Sequence, residues 1–211
     1  MKMKKNILYL LFAGIALSSC EKDPDLNQLD SDFTVYTQYD DQADFASAKT
    51  YYLPDSILTA GGGLKTAYVS NENTDKLVAE VETEMNSRGY TRTDNKADAD
   101  LGVQMTYIEN NVNMVGFVGG FWDGWWDPFY WGSFWTGGWY YPYPVSYSYQ
   151  TGNIVLEMVD LREAESDSNR LPVIWLASSE GLTYGNSHTD VMLIQRAIQQ
   201  SFEQSSYINR K

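Results

Sequence analysis

An aromatic segment in the second half of the chain is the feature that most constrains the fold. Between Phe117 and Tyr149, 16 of 33 residues are Phe, Trp or Tyr, interspersed with six glycines and three prolines. This density of glycine and proline excludes a long helix and a regular central strand. We therefore expect residues 115–150 to form an insert of loops, short turns or an irregular hairpin. Long inserts in compact domains are usually functional or disordered.

The aromatic insert is open to three interpretations. Its rings could fold back over a sheet face as a secondary core, because Trp and Tyr bury much area and Gly permits close approach. They could instead contact a protein or a bilayer. Thirdly, they could stack on sugar rings, with Asp123 and Asp127 as hydrogen-bond acceptors. We take the tryptophans of the insert as candidate binding residues: Trp122, Trp125, Trp126, Trp131, Trp135 and Trp139.

The flanking sequence predicts a mixed fold. Residues 33–39, 49–53, 99–108, 152–161 and 171–177 show strand patterns, and the last two could pair as a hairpin. A helix capped by Asn73 and stopped by Gly89 carries one apolar stripe, and a second begins at about Thr189. Gly61–Gly63 lacks the Lys and Ser/Thr of a phosphate loop. We expect an α/β fold of the α+β type, with a mainly antiparallel sheet and two helices packed on one face.

The N-terminus carries the pattern of an export signal. Lys2, Lys4 and Lys5 precede an apolar run from residue 7 to 17, which is too short for a membrane-spanning helix. Ser18 and Ser19 then precede Cys20, and this ending resembles the lipobox of bacterial lipoproteins. The resemblance implies that residues 1–19 are removed and that Cys20 is acylated with two or three chains, enough for stable anchoring.

The predicted organisation is a signal peptide at 1–19, a lipidated cysteine with an acidic tether at 20–31, and one domain at 32–206. The tether resembles the signal that sends some bacterial lipoproteins to the cell surface, and it is equally typical of a solvated linker. We expect a location in the cell envelope at the outer membrane, facing the periplasm or the exterior. Without residues 1–19 the chain has 12 basic and 28 acidic residues, a net charge of −16. Such a surface disfavours nucleic acid as a partner.

The residue inventory offers little reactive chemistry. Cys20 is the only cysteine and His188 the only histidine, so no His-based metal cluster and no Cys–His pair is available. We expect no cofactor and no metal, and most carboxylates to be solvated. Glu157 and Asp160 lie three residues apart on a strand, where their side chains face opposite sides. Asp100 is expected to shape the start of a strand.

Several short motifs, in order, resemble the uncharacterised bacterial lipoproteins grouped as domain-of-unknown-function family 4136. They are Tyr39-Asp40, Asp44-Phe45, Lys49 to Tyr52, Arg88-Gly89-Tyr90, Ala99-Asp100-Leu101, the insert, Gly152 to Asp160 and Val173-Ile174-Trp175. The likeness covers residues 33–202. It implies an envelope lipoprotein with a small α/β domain, and it supplies no catalytic residues and no ligand. The chain departs at Ser206-Tyr207-Ile208, where the family resemblance implies a finish that contains proline.

These observations predict a non-catalytic, lipid-anchored envelope protein whose aromatic insert contacts an envelope protein or a glycan. The alternative is a glycan-binding or glycan-processing protein with a carboxylate-based site. Two or more carboxylates converging in one cleft would favour the enzyme.

Overall fold

The computed structural model describes residues 33–60, 67–108, 112–116, 121–122, 138–149, 152–162, 170–182 and 188–210. The predicted signal peptide, Cys20, the tether and Gly61–Gly63 lie outside these residues. Most of the segment between Trp122 and Trp139 also lies outside them.

The described residues form twelve strands and two α-helices. The strands are β1 Thr34–Tyr39, β2 Thr50–Tyr52, β3 Ile57–Ala60, β4 Ala67–Val69, β5 Thr91–Arg92, β6 Leu101–Ile108, β7 Val112–Gly116, β8 Phe121–Trp122, β9 Trp139–Tyr140, β10 Val145–Tyr149, β11 Asn153–Asp160 and β12 Leu171–Glu180. The helices are α1 Glu72–Ser87 and α2 His188–Glu203. None of the described helices is long and apolar enough to cross a bilayer.

Ten of the described strands form one sheet built around β6, β11 and β12. The order β4-β3-β6-β11-β12-β9-β8 runs across it, with β1 paired to β12, and β2 to β5 and β6. The long pairs β6–β11, β11–β12 and β1–β12 are antiparallel, whereas β2–β6, β3–β6, β2–β5 and β9–β12 are parallel. The predicted mixed fold with a mainly antiparallel sheet and a β11–β12 hairpin pairing is confirmed.

Both helices pack on the same face of the sheet. We call this the helix-side face, and its central residues are Leu101, Val103, Met105, Ile154, Leu156 and Met158. The apolar stripes of the helices are buried against it, namely Leu77, Val78, Val81 and Met85 of α1, and Val191, Ile194, Ala197, Ile198 and Phe202 of α2. The predicted arrangement of two helices on one face is therefore confirmed.

Helix α1 begins two residues earlier than the sequence predicted. The cap is Asn71 rather than Asn73, because the Asn71 side chain accepts hydrogen bonds from the backbone N–H groups of Asn73 and Thr74. The Thr74 hydroxyl in turn accepts the Asn71 N–H at 2.7 Å, which completes a capping box. Helix α1 ends at Ser87, and Gly89, the predicted stop, lies just past its end with φ +92°.

The residue directly before β11 is at a position that only glycine can occupy. Gly152 has φ +90°, and a Cβ on it would lie 2.0 Å from the carbonyl oxygen of Leu182. Its N–H donates to Ile108 O and its carbonyl accepts from Leu182 N–H, both at 3.0 Å. This close approach ties the start of β11 to the end of β6 and to the residues after β12.

The C-terminal residues after α2 dock firmly although they depart from the family pattern. Ile208 is completely buried, and Tyr207 stacks on Tyr39 with ring centroids 3.7 Å apart. The Trp175 indole N–H donates to the Ser205 hydroxyl at 2.9 Å. The last helix is therefore held from its C-terminal side without a proline.

Candidate functional site

The second face of the sheet is covered by an aromatic segment instead of a helix. We call residues 138–145 the cover segment and the sheet face beneath it the cover-side face. Trp139, Tyr141, Tyr143 and Val145 are buried, whereas Pro144 between them is exposed. This two-residue alternation turns every second side chain towards the sheet.

The buried side chains of the cover segment complete a second apolar cluster. Its sheet residues are Leu58, Ile108, Val155, Val159, Leu171, Val173 and Leu176. They come from β3, β6, β11 and β12, so the cluster spans the centre of the sheet. The three central strands are consequently buried on both faces.

Hydrogen bonds hold the cover segment at both ends and at its middle. Gly138 O accepts from Leu171 N–H at 3.0 Å, and Pro144 O accepts from the Gln38 side-chain amide at 2.7 Å. Between these points the Tyr141 hydroxyl donates to a carboxylate oxygen of Glu157 at 2.5 Å. The central bond therefore joins the cover segment to an ionisable group of the sheet.

Glu157 lies at the centre of the cover-side face and is 1% exposed. Its other carboxylate oxygen accepts from the side-chain amide of Gln104 at 3.4 Å. The same amide group lies 3.3 Å from the Thr106 hydroxyl. Gln104 and Thr106 are also buried, so a small polar cluster sits inside an apolar layer.

Burial dominates the electrostatics of Glu157. It raises the pKa of the carboxyl from 4.5 to about 7, although the hydrogen bonds from Tyr141 and Gln104 act in the opposite direction. A carboxylate removed from water is disfavoured unless a cation compensates it. Glu157 is therefore neutral in mildly acidic solution and changes its charge near neutral pH.

A second polar group on the same face is Asn153. It is completely buried, and among the residues that the structure describes neither atom of its side-chain amide has a hydrogen-bond partner. Alternation along β11 places Asn153 on the side of Val155 and Glu157. A buried amide without partners costs about 1–3 kcal/mol, so the closed arrangement of this face carries a local cost.

Two described residues are exceptions to the expectation that most carboxylates are solvated, because Glu157 and Asp160 are both buried. Asp160 is paired with Arg162 through bonds of 2.9 and 2.6 Å, and Arg162 also donates to the Ser47 hydroxyl at 2.7 Å. Asp160 lies on the other side of β11, as the spacing predicted. These two acids therefore do not converge on one cleft.

Asp100 shapes the start of β6, as the sequence predicted. Its carboxylate accepts from the backbone N–H of Lys49 at 2.6 Å and of Thr50 at 3.2 Å. Burial acts to raise the pKa of Asp100, but these hydrogen bonds outweigh it and the pKa is lowered. The group is structural.

The structure describes only part of the predicted tryptophan set. Trp139 is completely buried in the cover-side cluster, the position that the secondary-core interpretation expects. Trp122 belongs to β8, which pairs with β9. Trp125, Trp126, Trp131 and Trp135 lie outside the described residues, as does Cys20. The binding role of the set and the lipidation of Cys20 stay predictions.

Metal-ligand geometry is absent from the described part of the chain. Within it, no three His, Cys, Asp or Glu side chains form a group that could hold a metal ion. His188 is the first residue of α2.

Sequence reasoning missed Glu157 as the centre of a buried polar cluster. The signal that could have found it is the continuous apolar run Ile154–Leu156, followed across the hairpin by Val173–Leu176. Continuous apolar runs indicate strands that are buried on both faces. An acid at an alternate position of such a strand is enclosed rather than solvated.

The sheet, with two helices on one face and the cover segment on the other, defines a mixed α/β domain. Its sheet is mainly antiparallel. The sequence profile of the domain of unknown function DUF4136 matches residues 35–205. This chain belongs to the DUF4136 family.

One solved structure supports the same assignment, and two more distant ones also match the chain. A DUF4136 family protein from Bacteroides thetaiotaomicron is 35% identical, with a TM-score of 0.71, covering 86% of this chain and 100% of that chain. PelC from Paraburkholderia phytofirmans, solved as a dodecamer, is 12% identical with a TM-score of 0.41, covering 85% and 99%. A PDZ domain protein from Parabacteroides distasonis is 14% identical with a TM-score of 0.37, covering 83% and 36%. No curated protein gives a significant match.

Glu157 should make the stability of the protein depend on pH. Its pKa is about 7 when folded and 4.5 when exposed, so the folded state binds more protons between these values. The contribution of Glu157 to the free energy of unfolding is therefore fully present below pH 4.5. It is lost as the pH rises to 7, which lowers the free energy of unfolding by up to about 3 kcal/mol. The free energy of unfolding of Glu157→Gln, measured with denaturant at several pH values, should not show this loss.

The matched control is Glu180→Gln, an exposed carboxyl at the end of β12. It should keep the pH profile of the unmodified protein. If Glu157→Gln keeps that profile too, the carboxyl is not enclosed as described.

Proposed function

We propose that this chain is a lipid-anchored protein of the bacterial cell envelope that acts by binding rather than catalysis. Its anchor is the acylated Cys20, and its contact surface is the aromatic insert. The location is the outer membrane, on its periplasmic or external side. The partner is an envelope protein or a glycan.

The N-terminal sequence supports the anchor. Lysines followed by an apolar run of export-signal length lead directly to Ser18, Ser19 and the chain's only cysteine. Two or three acyl chains on Cys20 would give stable attachment, since each buried methylene contributes about 0.8 kcal/mol. The acidic residues that follow would separate the domain from the membrane surface.

The observation that carries the binding proposal is the fixed base of the aromatic insert. Trp122 of β8 pairs directly with Trp139 of β9, and β9 pairs with β12. Both ends of the segment 123–137 are therefore brought together at one side of the sheet. That segment contains Trp125, Trp126, Trp131 and Trp135. Variable loops on a rigid scaffold are a common way to build a binding site.

The composition of the segment favours partners that offer flat or amphipathic surfaces. Indole rings stack on sugar rings or pack into protein interfaces, and Asp123 and Asp127 would accept hydrogen bonds from hydroxyl groups. A glycan-processing role needs two acids at one cleft. The two buried acids described in β11 lie on opposite sides of the sheet, which favours binding over processing.

The anchoring proposal predicts that Cys20→Ala abolishes lipid attachment. The variant should accumulate as an unprocessed precursor, because acylation of this thiol directs the later cleavage. Labelling cells with a radioactive fatty acid and isolating the protein measures the effect. Ser19→Ala, which keeps a small residue before the cysteine, is the control and should still be labelled. Unchanged labelling of Cys20→Ala would contradict the proposal.

The binding proposal predicts that Trp125→Ala combined with Trp126→Ala leaves the melting temperature nearly unchanged. Rings that are available to a partner contribute little to folding. Trp139→Ala is the matched control, because its ring is completely buried and its loss should cost about 3–5 kcal/mol. Thermal melts of the purified variants make the comparison without knowledge of the partner.

A large loss of stability in the double variant would refute the contact surface and favour a secondary core. A photo-reactive phenylalanine at position 126, introduced into the protein in cells, tests the contact itself. It should give a cross-linked species that the same residue at the exposed position 180 does not give. Absence of any such species would count against the proposal.

A further inference from the structure

The cover segment meets the sheet at an ionisable group. Its ends are attached through the backbone atoms Gly138 O and Pro144 O, while its middle is attached through the Tyr141 hydroxyl to Glu157. Residues 141–144 lie between β9 and β10 and belong to neither strand. The attachment in the middle therefore depends on side chains.

We propose that the cover segment is a proton-dependent lid on the cover-side face, closed while Glu157 is protonated and released when Glu157 is ionised. The inference stands on the enclosure of the carboxyl under Tyr141 and does not depend on which partner the insert binds.

The groups that face Glu157 leave its charge uncompensated. From β6 it meets Gln104 and Thr106, and strand alternation directs Leu176 and Ser178 of β12 to the same face. The titratable groups of the cover segment are the phenols of Tyr140, Tyr141 and Tyr143. None of these side chains is a cation that could compensate the charge of Glu157.

Two cations contact aromatic rings of residues that adjoin this cluster. Arg170 lies over the ring of Tyr140 and Lys96 over that of Tyr52, each about 5.1 Å from the ring centroid. The phenol of Tyr52, which packs against the cluster from β2, has its pKa raised by burial. In the described part of the cluster, no cation is hydrogen-bonded to Glu157.

The charge of an ionised Glu157 can therefore be stabilised mainly by water. Tyr141 and Gln104 can both donate to the carboxylate, and these bonds lower its pKa, but burial outweighs them. Lifting the cover segment would expose the charge to water. Opening is therefore favoured once Glu157 is charged.

The size of the effect follows from linkage. The open state has the ordinary pKa of 4.5 and the closed state one of about 7. The opening equilibrium should therefore rise about tenfold per pH unit between these values, roughly 300-fold in total, and become constant above pH 7.

Amide hydrogen exchange of the full chain tests the lid. Rates at Trp139, Tyr140, Tyr141, Tyr143 and Val145, corrected for the intrinsic pH dependence of exchange, should show protection falling from pH 4.5 to pH 7 and constant above it. These amides should be less protected than those of α1, because the lid opens without global unfolding. Constant protection in the cover segment over that range would overturn the proposal. Protection equal to that of α1 at every pH would overturn it as well.

Three variants separate the lid from general charge effects. Glu157→Gln keeps an acceptor for Tyr141 and should remove the pH dependence. Tyr141→Phe removes a hydrogen bond that lowers the pKa of Glu157, so the fall in protection should extend to higher pH. Tyr143→Phe changes the neighbouring ring of the cover segment, 5.8 Å from that of Tyr141, and should behave as the unmodified protein.

Should Glu157→Gln fail to fold, the shift in Tyr141→Phe still decides the question. A profile in Tyr141→Phe identical to that of the unmodified protein would contradict the lid. A Glu157→Gln protein that folds and retains the fall in protection would contradict it too.

Discussion

Strands β6, β11 and β12 are buried on both faces, and most of the remaining structure follows from this. All eight residues of β6, all eight of β11, and every residue of β12 except its last are buried. A sheet centre of this kind needs an apolar layer on each side. The two helices provide the layer on one face, and the short aromatic cover segment provides the layer on the other.

The chemistry of the cover segment explains how so few residues can do this. Large rings at every second position fill the space over the sheet, and prolines at 142 and 144 occupy the intervening positions, where their lack of an N–H is tolerated. The same closure encloses Glu157, Gln104 and Thr106. Their hydrogen bonds reduce the cost of burial without removing it, since the pKa of Glu157 remains raised. The second face therefore encloses an ionisable group whose charged form is disfavoured by burial.

Sequence patterns predicted the parts of the fold that depend on local periodicity. The apolar stripes of α1 and α2 and the alternation in β6 identified the helix-side face correctly, and the spacing of Glu157 and Asp160 placed them on opposite sides. The predicted cap of α1 was wrong by two residues. Asn71 and Asn73 are both asparagines, so residue type alone does not show which of them is the cap. Strands β3 and β4, of four and three residues, were not predicted.

The cover-side face could not be predicted from alternation alone. Gln104, Thr106 and Glu157 occupy the positions that a one-sided sheet would turn to water, so their burial depends on a segment distant in sequence. Only the continuous apolar runs in β11 and β12 indicate from local sequence that the sheet is covered on both faces. Strand order likewise depends on long-range pairing, such as that of β9 with β12, for which short strands give no signal.

The central claim is that Glu157 is enclosed between the sheet and the cover segment. Its titration by carbon-13 NMR, with the side-chain carboxyl signal assigned by comparison with Glu157→Gln, measures this most directly. We expect a midpoint at about pH 7, because burial disfavours the charged form. A midpoint at the ordinary value of 4.5 would show that water reaches the carboxyl and would contradict the account.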